Sequence, residues 1–188
     1  MLAAAGTPNL WNQFLTASVA GLVTAALYAI AASGLVVTYT TSGVFNFAHG
    51  AFGMMAAFTY WQFTEGWGLP IWLSLLLVVG VVAPVFGGIV EKGLMRGLEG
   101  TSELIKLVVT VSLLLALIGL APVIWDPTIA RSVPEFFPDS DPITIAGVGI
   151  SIHRIIIFVA AGLVAVFLRL FLYNTRTGIA MRAVVDDR

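Results

Sequence analysis

The sequence predicts an all-α polytopic membrane protein, and three observations carry that expectation. Mean hydropathy is +1.00 and only 10% of the 188 residues are charged, where a soluble domain is nearer a quarter. From Met1 to Thr64 there is no charged residue at all, and Glu65 is the first. Uncharged apolar stretches also recur at the length a bilayer demands, about 20 helical residues for a ~30 Å hydrocarbon core. These features exclude a water-soluble globular fold, a disordered chain and a nucleic-acid binder, which would need a basic face. With no cysteine, disulfides, thiol chemistry and cysteine-ligated metals are excluded as well. The N-terminus lacks the basic region of a signal peptide, so its first apolar stretch is expected to stay in the protein.

Taken in order, residues 14–64 are too long for one helix and suit two, with roughly 10 residues between them. Residues 66–90 form one span, opened by Gly68-Leu69-Pro70, since proline is tolerated in a first helical turn. Residues 107–125 form another. The last runs over about 151–172, with Arg154 and Arg169 near its ends, where long side chains reach the headgroups. About five crossings result. Between the last two, Ile143, Ile145, Val148 and Ile150 around Gly147 and Gly149 predict a small extended hairpin.

Lys and Arg in short loops set the orientation. The Glu91–Lys106 loop carries Lys92, Arg96 and Lys106, and the tail carries Arg176, Arg182 and Arg188. Residues 126–150 hold one cation, Arg131, against Asp126, Glu135, Asp139 and Asp141. The expectation is therefore a cytoplasmic 91–106 loop and C-terminus, an outer acidic loop, and an N-terminus outside. Trp61, Trp67, Trp72 and Trp125 fall near span ends, as an aromatic belt requires.

Polar residues in an apolar chain need a reason. Residues 38–50 interrupt the first long stretch with hydroxyls, Asn46, His49 and two glycines. Asn46 suits the N-cap of a helix starting at Phe47. Such a helix N-terminus carries partial positive charge, fitting the carboxylate of a zwitterionic solute. The plainer reading is a cytoplasmic turn with His49 packed at the interface; a helix break at Ser33-Gly34 would place the segment deeper. Ala17, Gly21, Ala25 and Ala29, four residues apart, predict a face that another helix approaches closely, within this subunit in preference to a dimer contact, with Tyr28 beside it facing protein or a pathway. Pro84 among Gly80, Gly87 and Gly88 predicts a kink.

Enzyme chemistry finds little footing. No acid lies inside a predicted span as a proton relay. His49 and His153 fall on opposite predicted faces and cannot form a metal pair, so no metal or other cofactor is expected on this chain. The absence of a phosphate-binding Gly-Lys-Ser/Thr loop means that a partner would have to supply ATP hydrolysis.

Three segments, in order, resemble the permease subunits of high-affinity branched-chain amino acid ABC importers. Gly21-Leu22, Ala25, Tyr28-Ala29-Ile30-Ala31-Ala32, Gly34 and then Gly43-Val44-Phe45-Asn46-Phe47-Ala48-His49-Gly50 resemble the N-terminal signature. Glu91-Lys92, Met95-Arg96 and Leu104-Ile105 resemble the first cytoplasmic loop. Arg176, Thr177, Gly178, Ala180, Arg182, Ala183 and Asp187 resemble the start of the segment that docks on the ATPase. The resemblance implies a multi-pass protein of the bacterial plasma (inner) membrane that translocates branched-chain amino acids. Its implied partners are a second permease subunit, two cytoplasmic ATPases carrying ATP-Mg, an extracytoplasmic solute-binding protein and membrane lipid, with no nucleic acid. Tyr28, Asn46 and His49 become candidate solute-pathway residues. Residues 1–188 would form a single transmembrane permease domain, truncated within the coupling segment. An importer of urea or short amides, and a structural or assembly protein that transports nothing, are the alternative expectations.

Overall fold

The computed structural model describes residues 9–42, 45–98, 100–137, 141–145, 148–176 and 178; of residues 41, 42, 145 and 148 it describes the backbone alone. The helices are α1 (Leu10–Ser42), α2 (His49–Trp61), α3 (Ile71–Leu77), α4 (Ala83–Val90), α5 (Glu103–Ile124) and α6 (Ile152–Asn174). Two short strands, β1 (Ile143–Ile145) and β2 (Val148–Ile150), pair antiparallel with Ile145 opposite Val148, the hairpin expected from the sequence. Among the described residues, four helical stretches are long and apolar enough to cross a membrane: Leu10–Thr40, Ile71–Leu98, Glu103–Ile124 and Ile152–Asn174. The chain is an all-α polytopic membrane protein apart from that hairpin.

α1 runs unbroken through Ser33 and Gly34, so the break considered there does not occur. At 1.5 Å per residue it is about 50 Å long, well beyond a hydrocarbon core. Its hydroxyls return to their own helix: Thr16 donates to the Asn12 carbonyl at 2.8 Å and Thr24 to the Ala20 carbonyl at 3.1 Å. Ser33 does the same to Ile30 at 2.7 Å. Lipid offers these groups no partner, and back-bonding satisfies them inside the segment. The small-residue face corrects an expectation. Ala17, Gly21, Ala25 and Ala29 are exposed, while Val23 and Ala26 are buried.

By compactness the chain divides in two, one unit holding the residues up to Gly34 together with those from Glu135, the other residues Leu35–Pro134. In the second, α2 packs against α5. The Trp125 indole N–H donates to the Gln62 side-chain oxygen at 3.2 Å, and Trp125 stacks on Phe58 with ring centroids 5.1 Å apart. Trp125 is thus buried packing and not a belt residue, whereas Trp67 and Trp72 are exposed as expected. Beside them Arg131 lies 4.7 Å over the Trp61 ring and donates to the Asp126 carbonyl at 2.6 Å. The Asp126 carboxylate accepts the Thr128 N–H and hydroxyl, and the backbone bond above all holds it below the ordinary aspartate range.

Helix irregularities sit where chemistry requires them. Pro84 has no N–H for the Gly80 carbonyl four residues back, and its ring crowds that oxygen. A π turn over Val78–Val82 widens the helix there, with the Ala83 N–H bonding the Val78 carbonyl. The expected kink is thus a π turn leading into Pro84. A second π turn, Gln62–Gly66, ends α2, and Gly68 at φ 66° turns the chain so that the Leu69 N–H reaches the Phe63 carbonyl at 2.9 Å. A third, Glu91–Met95, and a 3₁₀ turn, Arg96–Leu98, carry helical structure well past Val90. The segment read as a 91–106 loop is therefore helical to Leu98 and again from Glu103. The apolar run ends at Val90, but a helical backbone already hydrogen-bonded continues past it.

A side chain at Gly68 would be held in the left-handed region, which costs a non-glycine residue roughly 1–2 kcal/mol. Gly68→Ala is therefore expected to lower the thermal unfolding midpoint of the detergent-solubilised protein. The exposed Val79→Ala, which alters no turn, should leave that midpoint within error.

Candidate functional site

The polar interruption near residue 46 is a short turn. The Ala48 N–H donates to the Asn46 side-chain oxygen at 3.0 Å, and the His49 N–H donates to the Asn46 carbonyl at 3.2 Å. The N-cap of α2 is Ala48, which makes no side-chain cap bond, so Asn46 is not the N-cap expected from the sequence; it closes a turn ahead of the helix and accepts the N–H groups of Ala48 and His49. That helix begins at His49, two residues later than expected, because the Asn46 side chain closes a turn over Phe47 and Ala48 before regular helix sets in. On the α5 side, Thr110 is completely buried; its hydroxyl donates to the Leu107 carbonyl at 3.0 Å and lies 3.5 Å from the Phe45 carbonyl.

Above this turn two helix faces enclose a cavity of about 940 Å³. α2 contributes Phe52, Met55, Ala56 and Thr59, which recur at helical spacing along one face. The α4 side contributes Val82, Ala83, Phe86, Gly87 and Val90, also one face. Phe52 meets Phe86 edge-on, centroids 5.4 Å apart. The walls are therefore apolar and aromatic. Polar groups gather elsewhere in the same space: Asn46 and Thr38, then Glu91, Arg96 and Lys106. Glu91 and Arg96 approach to 3.7 Å with both side chains more than half exposed, so the pair adds little stability and its charges stay open to a ligand. Among the described residues Lys106 makes no ion pair.

Of the candidate pathway residues, Asn46 lines this cavity. His49 is half-buried, and among the described residues nothing hydrogen-bonds its ring. Tyr28 is 72% exposed on α1. Sequence reasoning missed Glu91, Arg96 and Lys106 as cavity residues and read the two cations as loop anchors. Their signal was the third span's helical periodicity carried past its last apolar residue: Glu91 follows Gly87 by four.

Thr175 leaves helical geometry after α6; its hydroxyl donates to the Phe171 carbonyl at 2.6 Å and accepts the Gly178 N–H at 3.0 Å. That is an N-cap bond to the third residue of a new turn, and Arg176 beside it is exposed. Gly178 is buried against the end of α6. A β-carbon there would overlap the Phe171 carbonyl oxygen and stand 2.7 Å from the Leu172 Cα, so only glycine fits. Thr177, Ala180, Arg182, Ala183 and Asp187 lie outside the described residues.

A family model described as the permease component of the branched-chain amino acid transport system matches residues 17–188. The chain belongs to that family. A curated relative, the high-affinity branched-chain amino acid transport system permease protein BraD of Pseudomonas aeruginosa, is 29% identical over 96% of this chain. The chain spans 61% of that relative's length. No solved structure matches this permease. Family and apolar helices together make it a multi-pass inner-membrane protein.

Loss of one intramolecular hydrogen bond typically costs about 0.5–1.5 kcal/mol. Asn46→Ala should lower the permease's thermal midpoint, and Asn46→Asp, which keeps the acceptor, should restore most of it. Gly178→Ala should also destabilise, by the 1–3 kcal/mol or so typical of overpacking, whereas Arg176→Ala at the exposed neighbour should not. Both comparisons read out in one melting series.

Proposed function

We propose that the chain is the membrane-spanning subunit of an ATP-driven importer that moves branched-chain amino acids into the cell. Family membership supports the importer, and the composition of the cavity carries the solute class. A branched-chain amino acid presents an aliphatic side chain, an ammonium and a carboxylate. The cavity offers apolar walls from Phe52, Met55, Val82 and Phe86, a carboxylate from Glu91, and cations from Arg96 and Lys106. Opposite charges attract far more strongly at a partly dehydrated wall than in water. Asn46 uses its side-chain oxygen on Ala48, which leaves its amide nitrogen to donate to a solute carboxylate at the positive end of α2. Urea and short amides carry no charge and need no apolar wall, so the cavity favours the amino acid.

In this reading the charged end of the cavity faces the cytoplasm, by the excess of Lys and Arg there, and the N-terminus lies outside. A second permease subunit completes the pathway, and an extracytoplasmic binding protein delivers solute. Two cytoplasmic ATPases, holding ATP-Mg, engage the tail through Arg176, Thr177, Gly178, Ala180, Arg182, Ala183 and Asp187. The chain itself catalyses nothing. Nucleotide drives transport because the ATPases bind one arrangement of the permease pair more tightly than the other, and only such a difference shifts the equilibrium.

The complete assembly, reconstituted in liposomes with its binding protein, is expected to accumulate radiolabelled leucine on ATP addition. Replacing both Arg96 and Lys106 by Gln should reduce that uptake about tenfold or more, equivalent to roughly 1.4 kcal/mol of lost attraction, with unchanged membrane insertion. Parent-level leucine uptake in the double variant would overturn the assignment of the cavity, and uptake of labelled urea in place of leucine would overturn the solute class.

A further inference from the structure

Glycine inside a helix has two ordinary structural reasons, and neither holds at Gly87. A positive φ is one, but among the described glycines only Gly68 and Gly100 have it. Close approach of another element is the other, yet a β-carbon built at Gly87 meets no atom within 4 Å. Glycine at such a position weakens a helix relative to alanine. What distinguishes Gly87 is its place. It lies on the cavity wall one turn after Ala83 and one turn before Glu91, beside Phe86, with Ala56 among the lining residues of α2. Any side chain added there would extend into the cavity. Gly87 therefore stands one helical turn before Glu91, whose carboxylate was assigned above to the solute ammonium.

We infer that Gly87 is the size-determining position of the solute site: the volume its missing side chain leaves is where the aliphatic branch of the amino acid lodges. This rests on the cavity being the solute path, as proposed above. An amino acid held by its ammonium at Glu91 and its carboxylate towards Arg96 and Lys106 has its side chain near the α-carbon, within a turn of Glu91. Gly87 is one turn away on the same face. Filling that volume should exclude large side chains and spare small ones, and in an apolar pocket one methylene separates solutes by about 10- to 200-fold.

The test uses the complete reconstituted assembly, with the binding protein saturated in turn by leucine, valine or alanine so that delivery does not set the selectivity. Gly87→Leu is expected to lower maximal leucine uptake about tenfold or more relative to alanine. Gly87→Ala, which removes the helix penalty and adds one methyl, should give a smaller shift in the same direction. Gly88→Leu, one residue away and outside the cavity lining, should keep the parent's leucine-to-alanine ratio. An equal loss for all three solutes in Gly87→Leu, or an unshifted ratio in Gly87→Ala, overturns the inference, the latter even if Gly87→Leu fails to assemble. The Arg96→Gln/Lys106→Gln variant separates the two ideas. If it transports like the parent, the cavity reading falls and this inference with it. If it is impaired while the Gly87 variants keep the parent ratio, only the size-determining role falls.

Discussion

Backbone polar groups that enter lipid must find their hydrogen-bond partners within the protein, and the rest of this structure depends on that constraint. It explains why the chain is helical over its apolar spans, and why hydroxyls such as those of Thr16, Thr24 and Ser112 bond to carbonyls of their own helices. It also governs how irregularity is admitted. Where Pro84 removes a donor, the helix widens into a π turn that keeps Ala83 bonded to Val78. Where the chain leaves α1 and enters α2, Asn46 supplies from one residue the acceptors for the N–H groups of Ala48 and His49.

The functional compartment follows from the same constraint. Charged groups are costly along lipid-facing spans, and Glu91, Arg96 and Lys106 lie towards helix ends, on the π turn after α4, the 3₁₀ turn that follows it and the first turn of α5. The cavity joins that charged rim to apolar helix faces deeper in. The compartment is therefore amphipathic, with charged groups from Glu91, Arg96 and Lys106 and apolar surface from the helix faces. The small residues of the α4 face have the same logic, because an apolar wall made only of large side chains would close the space it surrounds.

The segment after α6 uses a different device for a different task. Thr175 caps the new turn, and the backbone of Gly178 lies against the end of α6, where no β-carbon fits. A turn held rigidly to a membrane helix transmits force in a way that a flexible tethered tail would not. That suits the docking role proposed for it and places the exposed Arg176 at a defined position.

Much of this was legible in the sequence. Composition and the long uncharged stretches determined helical spans, since lipid tolerates so few alternatives, and alternation around Ile143–Ile150 determined the hairpin. Asn46 announced itself because an amide amid apolar residues has few uses other than bonding nearby backbone, though it closes a turn ahead of α2 where the sequence predicted its N-cap. The family signature, too, is carried by local runs of residues. What the sequence could not determine is which apolar face meets protein and which meets lipid, because the two environments favour the same side chains. Hence the small-residue face of α1 read as packed and is exposed, and Trp125 read as a belt residue and is buried against Phe58. For the same reason Glu91, Arg96 and Lys106 read as loop charges. Only tertiary structure brought them to one cavity with Phe52, Phe86 and Gly87, through helical continuation past Val90 that hydropathy does not register.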